Sequence, residues 1–320
     1  MVPSLRLRRL AALLGLQLCI ALAGPSHAQE RVVFGSPGAI SDNSLAIKIA
    51  IDKGFYEEAG IAAEIVNFKG GAPSIQALVG GGIQYAIAAP EHVTRLRSRG
   101  IDATVAFALQ GTHTYALLVP GDSPVQSFAD LRGKRVGITS AGSLTENLIR
   151  LAAHEDNIAF GSEIEAIGAG VGAAQKAALD SGRIDAGMFG NIDALQLVAQ
   201  GYRIVHDWRT VETPGLALIT LQSFVDDNPE TAKAVAEATL KGQRLIIEDR
   251  AVTIAALDEL YPDLSDEITG KVADELARTL VADGRFSPEA YARLQDELKV
   301  VDPDLKEVDY ATANPGTWLQ

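Results

Sequence analysis

The sequence predicts an α/β protein made of two similar units that face each other across a cleft. Three observations carry this. Short apolar runs of strand length alternate with amphipathic runs of helix length from Arg31 to Gly201. The stretch from Lys134 to Gly201 repeats the plan of Glu30 to Gly100. The 292 residues that follow the first 28 are more than one ordinary core would hold. The repeat is visible residue by residue. At an offset of 101, Gly71 and Ala72 fall on Gly172 and Ala173, Leu78 on Leu179, Gly81 on Gly182, Ile83 on Ile184 and Gly100 on Gly201. Nearer the start the offset is 104, placing Ser36 on Ser140 and Gly38 on Gly142, as one change of loop length would do.

Residues 1–28 read as a cleavable signal peptide. Arg6, Arg8 and Arg9 form a basic start, Leu10 to Ala23 an apolar run, and Ser26-His27-Ala28 a small-residue cleavage site. Cys19, the single cysteine, lies inside that run, so disulfides, thiolate nucleophiles and cysteine ligands are excluded from the rest. A large core without staples suits an exported periplasmic protein. Beyond residue 28 stand 25 basic and 41 acidic residues, a net charge of −16, which argues against nucleic acid and anionic membrane surfaces.

The first unit opens with a strand over Arg31 to Gly35, then a loop, then cap residues Ser41-Asp42-Asn43-Ser44 before a helix through Leu45, Ile47 and Ile49. A strand follows over Ile61 to Phe68 and a helix through Ile75 and Leu78. Next come a strand over Ile83 to Ala88, a helix ending at Gly100, and strands over Ala103 to Leu109 and Tyr115 to Val119. The second unit begins with Val136 to Ile138. Ser140 or Ser143 caps its first helix, with Glu146 placed for a capping box. From Ser223 onward the pattern is helical, and Pro229 marks a first helical turn. The tail from Val308 is expected to lie back on the first unit. Phe34 reads as core, while Tyr115 and Phe189 suit either core or a ligand wall. His92, His154 and His206 share no metal-ligand spacing and are expected at the surface.

In open α/β sheets ligands sit where strands run into helices. The loops that matter are then 36–43, 69–74, 89–92 and 110–114, with their counterparts in the second unit. Two crossings between the units make a hinge.

Four segments resemble one family. Ala50-Ile51-Asp52-Lys53-Gly54-Phe55-Tyr56-Glu57-Glu58-Ala59-Gly60-Ile61 is similar to its A-x-x-K-G-F-F-x-E-x-G-L run. Phe128-Ala129-Asp130-Leu131-Arg132-Gly133-Lys134-Arg135-Val136-Gly137 is similar to its DLKGKRVGV run. Ala178 to Ala186 resembles AL-x-x-G-x-VDA, and Asn228-Pro229-Glu230 resembles its NPE helix start. The family is the periplasmic solute-binding proteins of ABC importers, of the nitrate/sulfonate/taurine and thiamine-precursor type.

The resemblance implies a two-lobed class II periplasmic-binding fold, each lobe a mostly parallel sheet flanked by helices. Lobe I would take 29–118 and 214–320, and lobe II 119–213. It implies a monomer without cofactor, metal or catalysis that captures a small molecule and delivers it to an inner-membrane permease. Carried over by position, the ligand-facing residues are Ser36, Ser41, Asn43, Gly71, Ala72, Pro90, Glu91, His113 and Thr114 in lobe I. In lobe II they are Ser140, Gly142, Ser143 and Asn191, with Thr213 at the hinge.

Apart from Lys69, these loops offer no arginine or lysine to an anion such as a sulfonate or nitrate. Glu91 would instead welcome a donor-bearing ligand such as an aminopyrimidine or a zwitterion. A binding protein serving a sensor or a non-ABC transporter fits the same features. An enzyme resembling pyrimidine synthases of thiamine biosynthesis would need a cysteine-rich segment that is missing here. A serine hydrolase would need G-x-S-x-G, and Ile138 stands where the first glycine belongs.

Overall fold

The computed structural model describes residues 29–313; the signal peptide expected over 1–28 lies outside the described residues, as do the last seven. Ten strands form two five-stranded sheets among the described residues. The first sheet has the order β2-β1-β3-β10-β4, from β1 (Glu30–Ser36), β2 (Ile61–Asn67), β3 (Tyr85–Ala88), β4 (Ala103–Gln110) and β10 (Leu216–Leu221). The second has the order β7-β6-β8-β5-β9, from β5 (Tyr115–Val119), β6 (Lys134–Ile138), β7 (Ile164–Gly168), β8 (Ala186–Gly190) and β9 (Arg203–Asp207).

The two orders are the same pattern. β1 pairs parallel with β2 and β3, as β6 does with β7 and β8. In each sheet one strand runs against the other four. β10 is antiparallel to β3 and β4, and β5 is antiparallel to β8 and β9. Each reversed strand enters from the other half of the chain, so the sequence repeat is also a repeat of topology. The expected boundary at residue 118 cuts through β5, whereas the whole of Tyr115–Val119 pairs within the second sheet. Its apolar run Ala116 to Val119 would suit either sheet.

Alternation along β1 shows how both faces of the first sheet are covered. Val32 and Phe34 enter one core, with the helices 45–52, 229–248 and 266–279. Val33 enters the other, with Phe286 and, from the helix Pro288–Val301, Tyr291, Leu294 and Leu298. Phe34 is core as expected, its ring 5.5 Å from that of Tyr85 and nearly parallel to it. Phe189 is core as well, and Tyr115 is half-buried. The tail does return to the first sheet: Ala313 is buried there and its carbonyl accepts from the Thr104 hydroxyl at 3.2 Å. His92 departs from expectation. It is 5% exposed, in the first turn of the helix Glu91–Ser98, and burial together with Arg95 lowers its pKa to about 4.

The two crossings lie side by side. The Gly215 amide donates to the Gln110 carbonyl at 3.0 Å, and the His113 amide to the Val211 carbonyl at 3.3 Å. A Cβ on Gly215 would stand 1.7 Å from the Thr112 carbonyl oxygen, so only glycine allows the contact. No helix among the described residues is long and apolar enough to cross a membrane.

Candidate functional site

Loops at the carboxyl ends of β1, β6, β7 and β8 meet across the gap between the sheets and enclose a cavity of about 400 Å³. Residues 37–43 supply the first-lobe rim. Thr139, Val171, Gly172, Ala173, Gly190 and Asp193 supply the second, with Tyr115 and Tyr261 as aromatic walls. The cap cluster Ser41-Asp42-Asn43-Ser44 fixes the first rim. The Ser44 hydroxyl accepts from the Ser41 amide at 3.0 Å and donates back to the Ser41 carbonyl at 3.2 Å. On the opposite side Gly172 has φ +55°, and a Cβ there would stand 3.5 Å from an Asp193 carboxylate oxygen.

Of the expected ligand residues, Ser41 and Asn43 line this cavity. The Oδ1 of Asn43 is buried without a hydrogen-bond partner. Ser36 and Thr114, at the ends of the segments that lead into the same gap, also carry buried hydroxyls without a partner. The remaining expected residues are drawn into other contacts. Ser143 Oγ accepts from the Ala72 amide at 3.2 Å and lies 2.6 Å from Ser140 Oγ. That joins the helix start after β2 directly to the loop after β6. Gly71 packs against Ala88 and His92, and Pro90 is buried at the start of the helix 91–98. Ala72 and Gly142 border a second cavity of about 780 Å³, set outward of this seam and lined also by Arg95, Arg99 and Arg150.

Glu91 is 2% exposed and accepts from the Asn147 amide at 2.5 Å. Asn147 in turn accepts from Arg95 at 3.2 Å. Burial raises the Glu91 pKa, and Arg95 and Asn147 act against that rise. These groups clasp the two lobes to each other. His113 and Thr213 both bond Glu297, at 3.2 and 2.8 Å, which ties the crossings to the C-terminal helix. Asn191 accepts from Arg209 at 3.0 Å, and Arg209 is also paired with Asp207 at 2.7 Å.

Sequence reasoning did not single out the strongest electrostatic feature of the cavity. Asp42 and Asp193 enter it from opposite lobes. Burial pushes Asp42 up to about 7, with Asp193 and then Glu275 adding to the rise. Burial alone raises Asp193. Burial, then the two aspartates, raises Tyr115 and Tyr261 too. In the sequence Asp42 sits within a cap cluster and Asp193 in the first turn of a helix, where acids are ordinary.

The sequence pattern of the NMT1/THI5 like family matches residues 41–251. No curated protein matches the chain by sequence. Among solved structures, a protein of Bordetella bronchiseptica RB50 is similar at 28% identity and a TM-score of 0.80, over 89% of this chain and 94% of its own. The alkanesulfonate-binding protein SsuA of Xanthomonas axonopodis pv. citri, bound to MOPS, aligns at 19% identity and a TM-score of 0.73, over 89% and 97%. The periplasmic aliphatic sulphonate binding protein SsuA of Escherichia coli aligns at 19% and 0.68, over 91% and 99%. The last two share the two-lobed periplasmic-binding fold with it. With the family pattern running from the first cavity rim, through both sheets and both crossings, into the long helix 229–248, the chain belongs to the NMT1/THI5-like family.

Proposed function

We propose that this protein is the periplasmic solute-binding component of an ABC importer. It captures a small polar organic solute between its lobes, closes over it and presents the closed form to an inner-membrane permease. The carrying observation is the 400 Å³ cavity, rimmed from both sheets and lined by the polar residues Ser41, Asp42, Asn43, Thr139 and Asp193. A solute's contacts with both rims favour the closed state. Two structural relatives are named as sulfonate-binding proteins, which supports the same class of activity. The hydroxyls favour binding over chemistry: Ser140 and Ser143 meet each other, and among the described residues neither bonds a histidine or a carboxylate.

Within this reading Ser41 and Asn43 contact the solute, and Ser36 and Thr114 lie at the floor of the gap. Ala72, Ser140 and Ser143 meet when the lobes close, as do Glu91 and Asn147. Isothermal titration with a panel of small amines, sulfonates, carboxylates and nitrate tests the reading, paired with small-angle scattering. Binding with a smaller radius of gyration in the liganded state is the expected result. An absence of binding across the panel would sink the reading.

A further inference from the structure

The cavity's own groups specify the charge of what it takes. Two carboxylate residues line it from opposite lobes, Asp42 and Asp193. Asp42 is nine-tenths buried, and among the described residues no side-chain donor bonds its carboxylate. Asn43 Oδ1 is a separate, buried acceptor with no donor. The charged groups acting on Asp42 are acids, Asp193 and Glu275. Arg209, which reaches the first turn of the helix carrying Asp193, is committed to Asp207 and Asn191. Tyr261 lines the same cavity and adds an aromatic wall to it.

An anion placed here would meet two carboxylates and no cationic side chain. A neutral solute would leave both acids unpaired in a site that burial already makes costly for them. We infer that the cavity takes a small organic cation, a protonated amine or an amidinium, held between Asp42 and Asp193 with the Tyr115 and Tyr261 rings against its body. The inference rests on the solute-binding reading and adds the ligand's charge class, which sets this protein apart from relatives named for sulfonates.

The test is isothermal titration of the purified protein with benzamidine, agmatine and choline in one arm. Taurine, methanesulfonate and nitrate form the other. At least one cation is expected to bind, and no anion. Asp193→Asn should weaken that cation at least 20-fold, Asp193→Glu should keep most of the affinity, and thermal unfolding confirms that both variants fold. If anions bind and cations do not, the charge class is overturned while solute capture stands. If a cation binds equally well to wild type and Asp193→Asn, the assigned clamp is overturned. Binding in neither arm overturns the inference and the solute-binding reading together.

Discussion

Replacing Asp42 by asparagine should stabilise the ligand-free protein, and the gain should depend on pH. Asp42 is buried, faces Asp193, and has its pKa raised by burial and by that neighbour from 3.8 to about 7. At about 1.36 kcal/mol per pH unit, the rise corresponds to about 4 kcal/mol. The direction follows from proton binding. The folded chain holds the Asp42 proton more tightly than the unfolded chain, so this contribution is fully present below pH 3.8. It is lost as pH rises through about 7. Asparagine keeps the shape and an acceptor oxygen but cannot ionise. The variant should therefore match wild type within about 1 kcal/mol at pH 4 and exceed it by up to about 4 kcal/mol at pH 8. At roughly 2 °C per kcal/mol for a chain of this length, thermal unfolding at pH 8 should shift upward by roughly 5–8 °C. Differential scanning calorimetry without ligand at pH 4, 6 and 8 measures it. A variant less stable than wild type at pH 8, or a gain that does not change with pH, would refute the reasoning.

The same titration governs capture. If a cation requires ionised Asp42, with Asp193, Glu275, Tyr115 and Tyr261 facing the same space, affinity should rise roughly 100-fold from pH 5 to pH 8. Titration in buffers of different ionisation enthalpy should show a proton released on binding at pH 6. Gly215→Ala should cost about 3 kcal/mol or more, or prevent soluble expression, because the new Cβ meets the Thr112 backbone at 1.7 Å. Urea unfolding decides it. Glu297→Ala leaves His113 and Thr213 without their shared partner and should cost about 2–3 kcal/mol in the same assay. Glu297→Gln, which still accepts from Thr213, should lose less.

The strand and helix order was legible because periods of two and near four are local, and so was the doubling, because both halves solve the same packing problem. The second sheet's claim on Tyr115–Val119 was not. A buried antiparallel strand reads as a plain apolar run whichever sheet receives it. The candidate cavity was legible as loops but only partly as residues. Ser41 and Asn43 line the cavity, whereas His113 and Thr213 go to Glu297, which lies more than 80 residues further along the chain. Asp42 and Asp193 were hidden by having a sufficient local explanation as helix-start acids. They come together only when lobe meets lobe, and no window along the chain spans that distance. His92 failed for a related reason: neighbours from distant elements cover it.

The exchanged strands bear on how the molecule is made. β10 lies between β3 and β4, so a nascent chain that has emerged as far as β4 holds two strands with an unfilled slot between them. That slot stays open through synthesis of the entire second sheet and is filled only by Leu216–Leu221. A chain that has emerged past β9 but not yet to β10 would thus carry a complete set of second-sheet strands beside a first sheet with bare inner edges, the state most open to mispairing with another copy. The larger lobe, begun first, is the last to finish.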